Sequence, residues 1–129
     1  MTETTVLVIE DDPQLNELYS QWLATSFEVR SAMDGTDGLD KLDDDVDVVL
    51  LDRELPDVSG DTILASQDDR NVDCLVGMVS GIRPDIDTLH MDFDAYLEKP
   101  VREGQLERFV NGMLEEDTVE VAKIQGASL

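Results

Sequence analysis

Basic side chains are scarce in this sequence. Its 129 residues include 9 Lys and Arg against 31 Asp and Glu, which gives a formal net charge of -22 at pH 7. Proteins that bind nucleic acid neutralise phosphates with clustered Lys and Arg side chains, and this composition offers no such patch. We therefore expect no direct nucleic-acid binding by this domain.

Cysteine pairs and long apolar runs are also missing. The single cysteine, Cys74, cannot form an internal disulfide, and its apolar neighbours in residues 74–79 indicate a small core residue. No apolar run approaches the roughly 20 residues that a membrane-spanning helix needs, and residues 1–5 do not resemble a secretory leader. We expect a cytoplasmic protein without a membrane partner.

The acidic side chains are spread over every segment and alternate with apolar positions. They are therefore expected on a folded surface, because a disordered acidic tail would concentrate them in one block. Their mutual repulsion destabilises a compact domain in dilute salt, whereas molar salt shortens the Debye length to about 3 Å. We infer, as a hypothesis, a halophilic protein that works in concentrated salt.

Apolar runs alternate with helical periodicities along the chain, whose length suits one domain. Strands are predicted at 6–9, 27–31, 46–51, 74–79 and 95–97. Helices are predicted after Asp12-Pro13, briefly around Leu39 and Leu42, at 61–68, as a short segment between Pro84 and Asp92, and at 106–114. This pattern predicts an α/β fold with a doubly wound parallel sheet. Periodicity is lost after about residue 117, so we assign 1–117 to the domain and 118–129 to a tail or to the start of a C-terminal extension.

Polar side chains follow four of the predicted strands. Parallel sheets gather reactive groups at the carboxyl ends of their strands, and these ends carry Glu10-Asp11-Asp12, Asp52, Ser80 and Lys99. Singly, each has a structural explanation as a helix cap, a turn residue or a solvated charge. Their combination, with one of only three lysines among them, favours a functional site.

Four segments resemble the signature blocks of response-regulator receiver domains of two-component signalling. They are VIEDDP at 8–13, LLDRELP at 50–56, MVSG at 78–81 and YLEKP at 96–100. The resemblance covers about residues 5–115 in the family's order and spacing. It implies a five-stranded parallel sheet, (βα)5, with the flavodoxin-like strand order 2-1-3-4-5. The short segment at 81–97 is similar to a haloarchaeal group of regulators whose receivers often precede a small helical extension.

The resemblance also implies a role for each site residue. Asp52 would be phosphorylated by a sensor histidine kinase, and Mg²⁺ (or Mn²⁺) would be held by Glu10, Asp11, Asp52 and the backbone carbonyl of Glu54. The phosphoryl contacts would be Ser80 and Lys99, and the switch residues Ser80 and Tyr96. Partner binding to a downstream output protein or domain, or to a second copy in a homodimer, would use the face formed by the fourth helix, fifth strand and fifth helix. We also expect the Lys99–Pro100 peptide bond to be cis.

The chemistry of these residue types agrees with that assignment. A carboxylate attacks an anionic phosphoryl donor only when their repulsion is neutralised, which a hard cation with oxygen ligands achieves. The domain would thus catalyse its own modification and turn over no external substrate.

The sequence departs from the family pattern at two places. Glu10 replaces the commoner Asp of the family and preserves the charge. Arg83-Pro84, early in a shortened segment, indicates an altered output face.

Two alternatives have different signatures. A phosphatase of the haloacid dehalogenase type also uses an Asp after a buried strand with Mg²⁺, but it needs a hydroxyl residue after its second acid, where this chain has Leu55. A pseudo-receiver, which binds partners without phosphorylation, usually lacks the acceptor, the metal acid or the lysine, and all three are present here.

Overall fold

The computed structural model describes residues 4–58, 60, 62–63, 74–84 and 93–115. Its strands form one five-stranded sheet in the order β2-β1-β3-β4-β5, and every neighbouring pair is parallel. The predicted fold class and strand order are confirmed. The strands are β1 (Thr5–Ile9), β2 (Glu28–Ala32), β3 (Val48–Leu51), β4 (Leu75–Ser80) and β5 (Ala95–Glu98).

Three helices lie wholly within the described residues, namely α1 (Pro13–Ala24), α2 (Gly35–Lys41) and α3 (Gln105–Leu114). Asp12 caps α1 by accepting hydrogen bonds from the backbone N–H groups of Gln14 and Leu15, and Pro13 occupies the first turn. Both features agree with the predicted first helix. The last helix, α3, is the fifth helix of the prediction.

Some predicted segments fall partly or wholly outside the described residues. Residues 62 and 63 are helical, as predicted for the third helix at 61–68, and residue 60, just before the predicted start, is helical too; the remainder of 61–68 lies outside the description. The predicted fourth helix, apart from Pro84 itself, and the tail at 118–129 also lie outside it. No helix of the described residues is long and apolar enough to cross a membrane.

Apolar side chains of the strands alternate between two hydrophobic cores, one on each face of the sheet. Val8 and Leu50 pack with α1 and α3, whereas Ile9 and Leu51 face the side that bears α2. A Cβ at Gly77 would lie 2.7 Å from atoms of both Phe109 and Met113, so this glycine lets α3 approach β4 closely. Because both faces of the sheet are covered by a hydrophobic core, the strand sequences are continuous apolar runs.

Candidate phosphoacceptor and metal site

Three acidic side chains converge where β1 and β3 end. Ile9 pairs with Leu51 in the parallel register, so the residues that follow these two strands meet at the same edge of the sheet. Carboxylate oxygens of Glu10, Asp11 and Asp52 lie within 4.8 Å of one another. Hard cations such as Mg²⁺ prefer oxygen ligands in this arrangement. The side chains present therefore fit a divalent metal ion.

Their exposure differs in a way that matters for metal binding. Glu10 and Asp52 are buried, with 3% and 6% of their surface exposed, whereas Asp11 is exposed. Glu10 Oε2 accepts a hydrogen bond from the Asp12 N–H at 3.1 Å. Asp11 is thus the acidic side chain most open to an ion arriving from solvent.

Lys99 joins the two buried carboxylates. Its Nζ lies 2.5 Å from Glu10 Oε1 and 3.0 Å from Asp52 Oδ2. The Lys99 backbone N–H donates to the Ser80 carbonyl at 2.9 Å, and the Lys99–Pro100 peptide bond is cis, as predicted. The lysine follows β5, two strands away from Asp52, and reaches the acids across the carboxyl end of the sheet.

Burial and the ion pairs of Lys99 have opposite effects on the pKa values of Glu10 and Lys99. Burial raises the pKa of Glu10 above its ordinary value, although Lys99 and the Asp12 N–H counteract the shift. Burial alone would lower the pKa of Lys99, but its hydrogen bonds and attraction to Glu10 and Asp52 outweigh burial and raise it. Lys99 is therefore fully charged at neutral pH.

The loop after β3 holds the Asp52 side chain from a second direction. Asp52 Oδ1 accepts a hydrogen bond from the Glu54 N–H at 3.0 Å, and the Gly60 N–H donates to the Arg53 carbonyl at 3.0 Å. A Cβ at Gly60 would lie 2.2 Å from the Asp52 carbonyl oxygen, so only glycine allows this loop to close. Asp52 thus has one oxygen bound to Lys99 and the other bound to its own loop.

Ser80 and Tyr96 both form hydrogen bonds with Ile82, in the segment after β4. Ser80 ends β4, is fully buried, and accepts a hydrogen bond from the Ile82 N–H through Oγ at 3.2 Å. The Tyr96 hydroxyl donates to the Ile82 carbonyl at 2.5 Å, and its ring packs edge-on against Phe93. Burial raises the pKa of Tyr96, against hydrogen bonds with Arg53 and Ser80. In this structure the ring of Tyr96 is inside the protein.

Two polar residues near the site were not singled out from the sequence. Asn16 is buried, and its Nδ2 donates to the carbonyl oxygens of Glu10 (3.0 Å) and Ala32 (2.9 Å). Its position in phase with buried Tyr19 and Leu23 is the sequence signal that could have revealed it. Asp57 accepts hydrogen bonds from the start of α2. No local sequence pattern predicts this contact, because the two segments are more than 20 residues apart in the chain.

Comparison with known proteins identifies the family. The model of the response regulator receiver domain matches residues 6–111. A protein of Haloferax volcanii, named as a transcriptional regulator, is 44% identical over 113 residues, which are 87% of this chain and 19% of that protein. The transcriptional regulatory protein CpxR of Escherichia coli K12 is 31% identical over 112 residues, covering 84% of this chain and 48% of CpxR. The chain thus spans less than half the length of these relatives.

Solved structures agree with this result. The response regulator DrrB of Thermotoga maritima superposes with a TM-score of 0.80 at 26% identity, over 92% of this chain and 55% of DrrB. A receiver domain protein of Methanospirillum hungatei gives 0.79 at 26% identity, over 92% and 99% of the two chains. The phosphatase and pseudo-receiver alternatives are not favoured by these matches. This chain belongs to the family of response regulator receiver domains of two-component systems.

Proposed function

We propose that Asp52 accepts a phosphoryl group from the phosphohistidine of a sensor histidine kinase. The observation that carries this proposal is the convergence of three carboxylates and Lys99 at the carboxyl end of the sheet. The P–N bond of the donor breaks as a bond forms between phosphorus and a carboxylate oxygen of Asp52. The domain modifies itself and turns over no external substrate.

Mg²⁺, or Mn²⁺, would be held by Glu10, Asp11, Asp52 and the backbone carbonyl of Glu54. When bound, the ion neutralises charge between the carboxylates and the phosphoryl oxygens. Lys99 already lies against Asp52 and supplies a second positive charge beside the transferred group.

Ser80 and Tyr96 are proposed to report the modification. The Ser80 hydroxyl lies at the end of β4, where it can donate a hydrogen bond to a phosphoryl oxygen on Asp52. Its movement would open space for Tyr96 to leave the Ile82 carbonyl and change the surface near β5 and α3. An output protein or domain, or a second copy of the chain, would bind there. The predicted fourth helix, expected to complete this face, belongs to the residues outside the description.

The extent of the domain is also a proposal. The family match ends at residue 111 and α3 ends at Leu114, which supports a receiver domain over 1–117. Residues 118–129 would then be a tail or begin a C-terminal extension; the matched region makes up 19% and 48% of the length of the two relatives.

Intact-mass measurement after incubation with Mg²⁺ and a small phosphodonor tests the acceptor. Wild type should gain one phosphoryl group, and Asp52→Asn should gain none. Asp12→Asn is the matched control, because it removes the same charge from the same rim while Asn still caps a helix. Phosphorylation of Asp52→Asn, or a phosphoryl group mapped to Asp11 or Asp12 in wild type, would refute the proposal.

A further inference from the structure

The loop that follows the acceptor strand is bound to the start of α2 by one side chain. Asp57 accepts hydrogen bonds from the N–H groups of Gly35 (2.8 Å) and Thr36 (3.0 Å) and from the Thr36 hydroxyl (2.5 Å). Hydrogen bonds to an ionised carboxylate are stronger than those between neutral groups. Led by the Thr36 hydroxyl, they hold the pKa of Asp57 well below its usual range, so the side chain is charged at neutral pH.

Packing supports the same connection. A Cβ at Gly35 would lie 2.7 Å from Val58 Cβ and 2.8 Å from the Val58 carbonyl oxygen, so the two segments approach as closely as glycine permits. Val58 also packs against the hydrophobic core on the α2 side of the sheet. The loop is thus attached to α2 by both polar and apolar contacts.

The other end of this connection is fixed to the acidic segment after β1. The Ala32 carbonyl accepts hydrogen bonds from the Glu10 N–H at 3.1 Å and from Asn16 Nδ2 at 2.9 Å. Residues 32–36, which we call the rim brace, therefore run from the backbone of Glu10 to the carboxylate of Asp57. The rim brace thus links the acidic segment after β1 to the loop after β3. Within the sheet, these two segments are connected only through the pairing of β1 with β3.

The loop end of the rim brace is close in sequence to the acceptor. Asp57 lies three residues after Glu54, whose N–H donates to Asp52 Oδ1. A shift of the loop at Asp57 would therefore move the Glu54 backbone and the Asp52 side chain together. The carboxylate of Asp11, carried by the other segment and exposed to solvent, would not follow.

We propose that Asp57 is a positioning residue for the metal site. By closing the rim brace, it sets the separation between the acidic segment after β1 and the loop after β3. The inference rests on the proposed function, because Mg²⁺ binding between these two segments is part of that function. Ligands supplied by separate segments bind a metal tightly only when their supporting contacts fix the spacing.

Calorimetric titration with Mg²⁺ tests the role of Asp57. Asp57→Ala should weaken Mg²⁺ binding by about 10-fold, in the range typical for residues that support metal ligands. Its phosphorylation by a small phosphodonor should be slow at low Mg²⁺ and should recover when Mg²⁺ is saturating. The matched control is Asp43→Ala, which removes an exposed, hydrogen-bonded carboxylate beyond the far end of α2.

Two further variants keep the test decisive if Asp57→Ala folds poorly. Asp57→Asn retains one acceptor oxygen, and Thr36→Val loses only the hydroxyl donor, so both should bind Mg²⁺ with affinities between those of Asp57→Ala and Asp43→Ala. If the Asp57 variants melt at lower temperature yet bind Mg²⁺ like Asp43→Ala, Asp57 merely stabilises the fold and the inference is wrong. Absence of Mg²⁺ binding in wild type would instead overturn the proposed function and this inference together.

Discussion

At the scale of single residues, Lys99 offsets the repulsion between two carboxylates inside the protein. Glu10 and Asp52 both contact Nζ, and neither side chain has more than 7% of its surface exposed. Without the ammonium group, two buried negative charges would face each other in a region that water screens poorly. The lysine thus stabilises the metal-free site as well as serving the proposed transfer.

Lys99→Met should therefore destabilise the metal-free protein by about 3 kcal/mol at neutral pH, as expected when one partner of a buried ion pair is removed. The loss should shrink in acid. Folding raises the pKa of the Glu10 carboxyl, so its protonation stabilises the folded state below the unfolded pKa of 4.5, and this contribution is lost as the pH rises through the folded pKa. Because Lys99 lowers the Glu10 pKa, removing the lysine raises that pKa further, and protonation of Glu10 in acid relieves the repulsion with Asp52. Chemical denaturation at pH 7 and pH 4 checks this, and an equal loss at both values would contradict it.

Asp11 and Asp12 are adjacent acids for which we expect different roles. Asp11→Ala should weaken Mg²⁺ binding strongly, because Asp11 is the acidic ligand most open to solvent. Asp12→Ala should mainly remove the cap of α1, which costs about 1 kcal/mol of stability. Calorimetry and thermal melts separate the two effects. Equal Mg²⁺ affinity in wild type and Asp11→Ala would refute the assignment.

At the scale of secondary structure, the sequence predicts what local patterns determine and misses what distant contacts decide. The Asp12 cap and the apolar runs are local, so α1 and the five strands were foreseeable, whereas the strand order was implied by the family resemblance. Phe27, predicted to begin the second strand, instead donates its N–H to the Leu23 carbonyl and finishes the turn after α1. Val46, predicted in the third strand, bonds back to Asp43 in a turn. The contacts of Asp57 reach 21 and 22 residues back to α2, which no sequence window reveals.

The close packing of α3 against β4 at Gly77 predicts the effect of adding a side chain there. Gly77→Ala should destabilise the domain by about 1–3 kcal/mol, because the added methyl group must displace Phe109 and Met113 from a packed core. Gly81→Ala is the control, since nothing lies within 4 Å of the Cβ it would add. Urea denaturation of both variants provides the comparison, and equal stability would contradict the packing argument.

The proposed coupling between the acceptor and the output face also belongs to this scale. Ser80→Ala should still accept phosphate on Asp52, but without the hydroxyl the signal should reach Tyr96 and its surroundings less effectively. Chemical-shift changes on phosphorylation, measured along residues 81–110, test this expectation. Changes of equal size in Ser80→Ala and wild type would contradict the coupling.

At the scale of the whole molecule, charge is the dominant feature. A net charge of -22 on 129 residues opposes compaction wherever salt does not screen it. Thermal melts in dilute and in molar KCl should show a much higher melting temperature in concentrated salt. Identical melting temperatures would refute the halophile hypothesis.

The order in which the strands pair has a consequence for biosynthesis. Asp52 lies 47 residues before Lys99, and Glu10 lies 89 residues before it, so the lysine is made long after the acids. A nascent chain that has exposed Asp52 to solvent still lacks the cation that completes the site, and β5 cannot dock until β4 is in place. On the proposed function, the capacity to accept a phosphoryl group would therefore arise only when the sheet is complete.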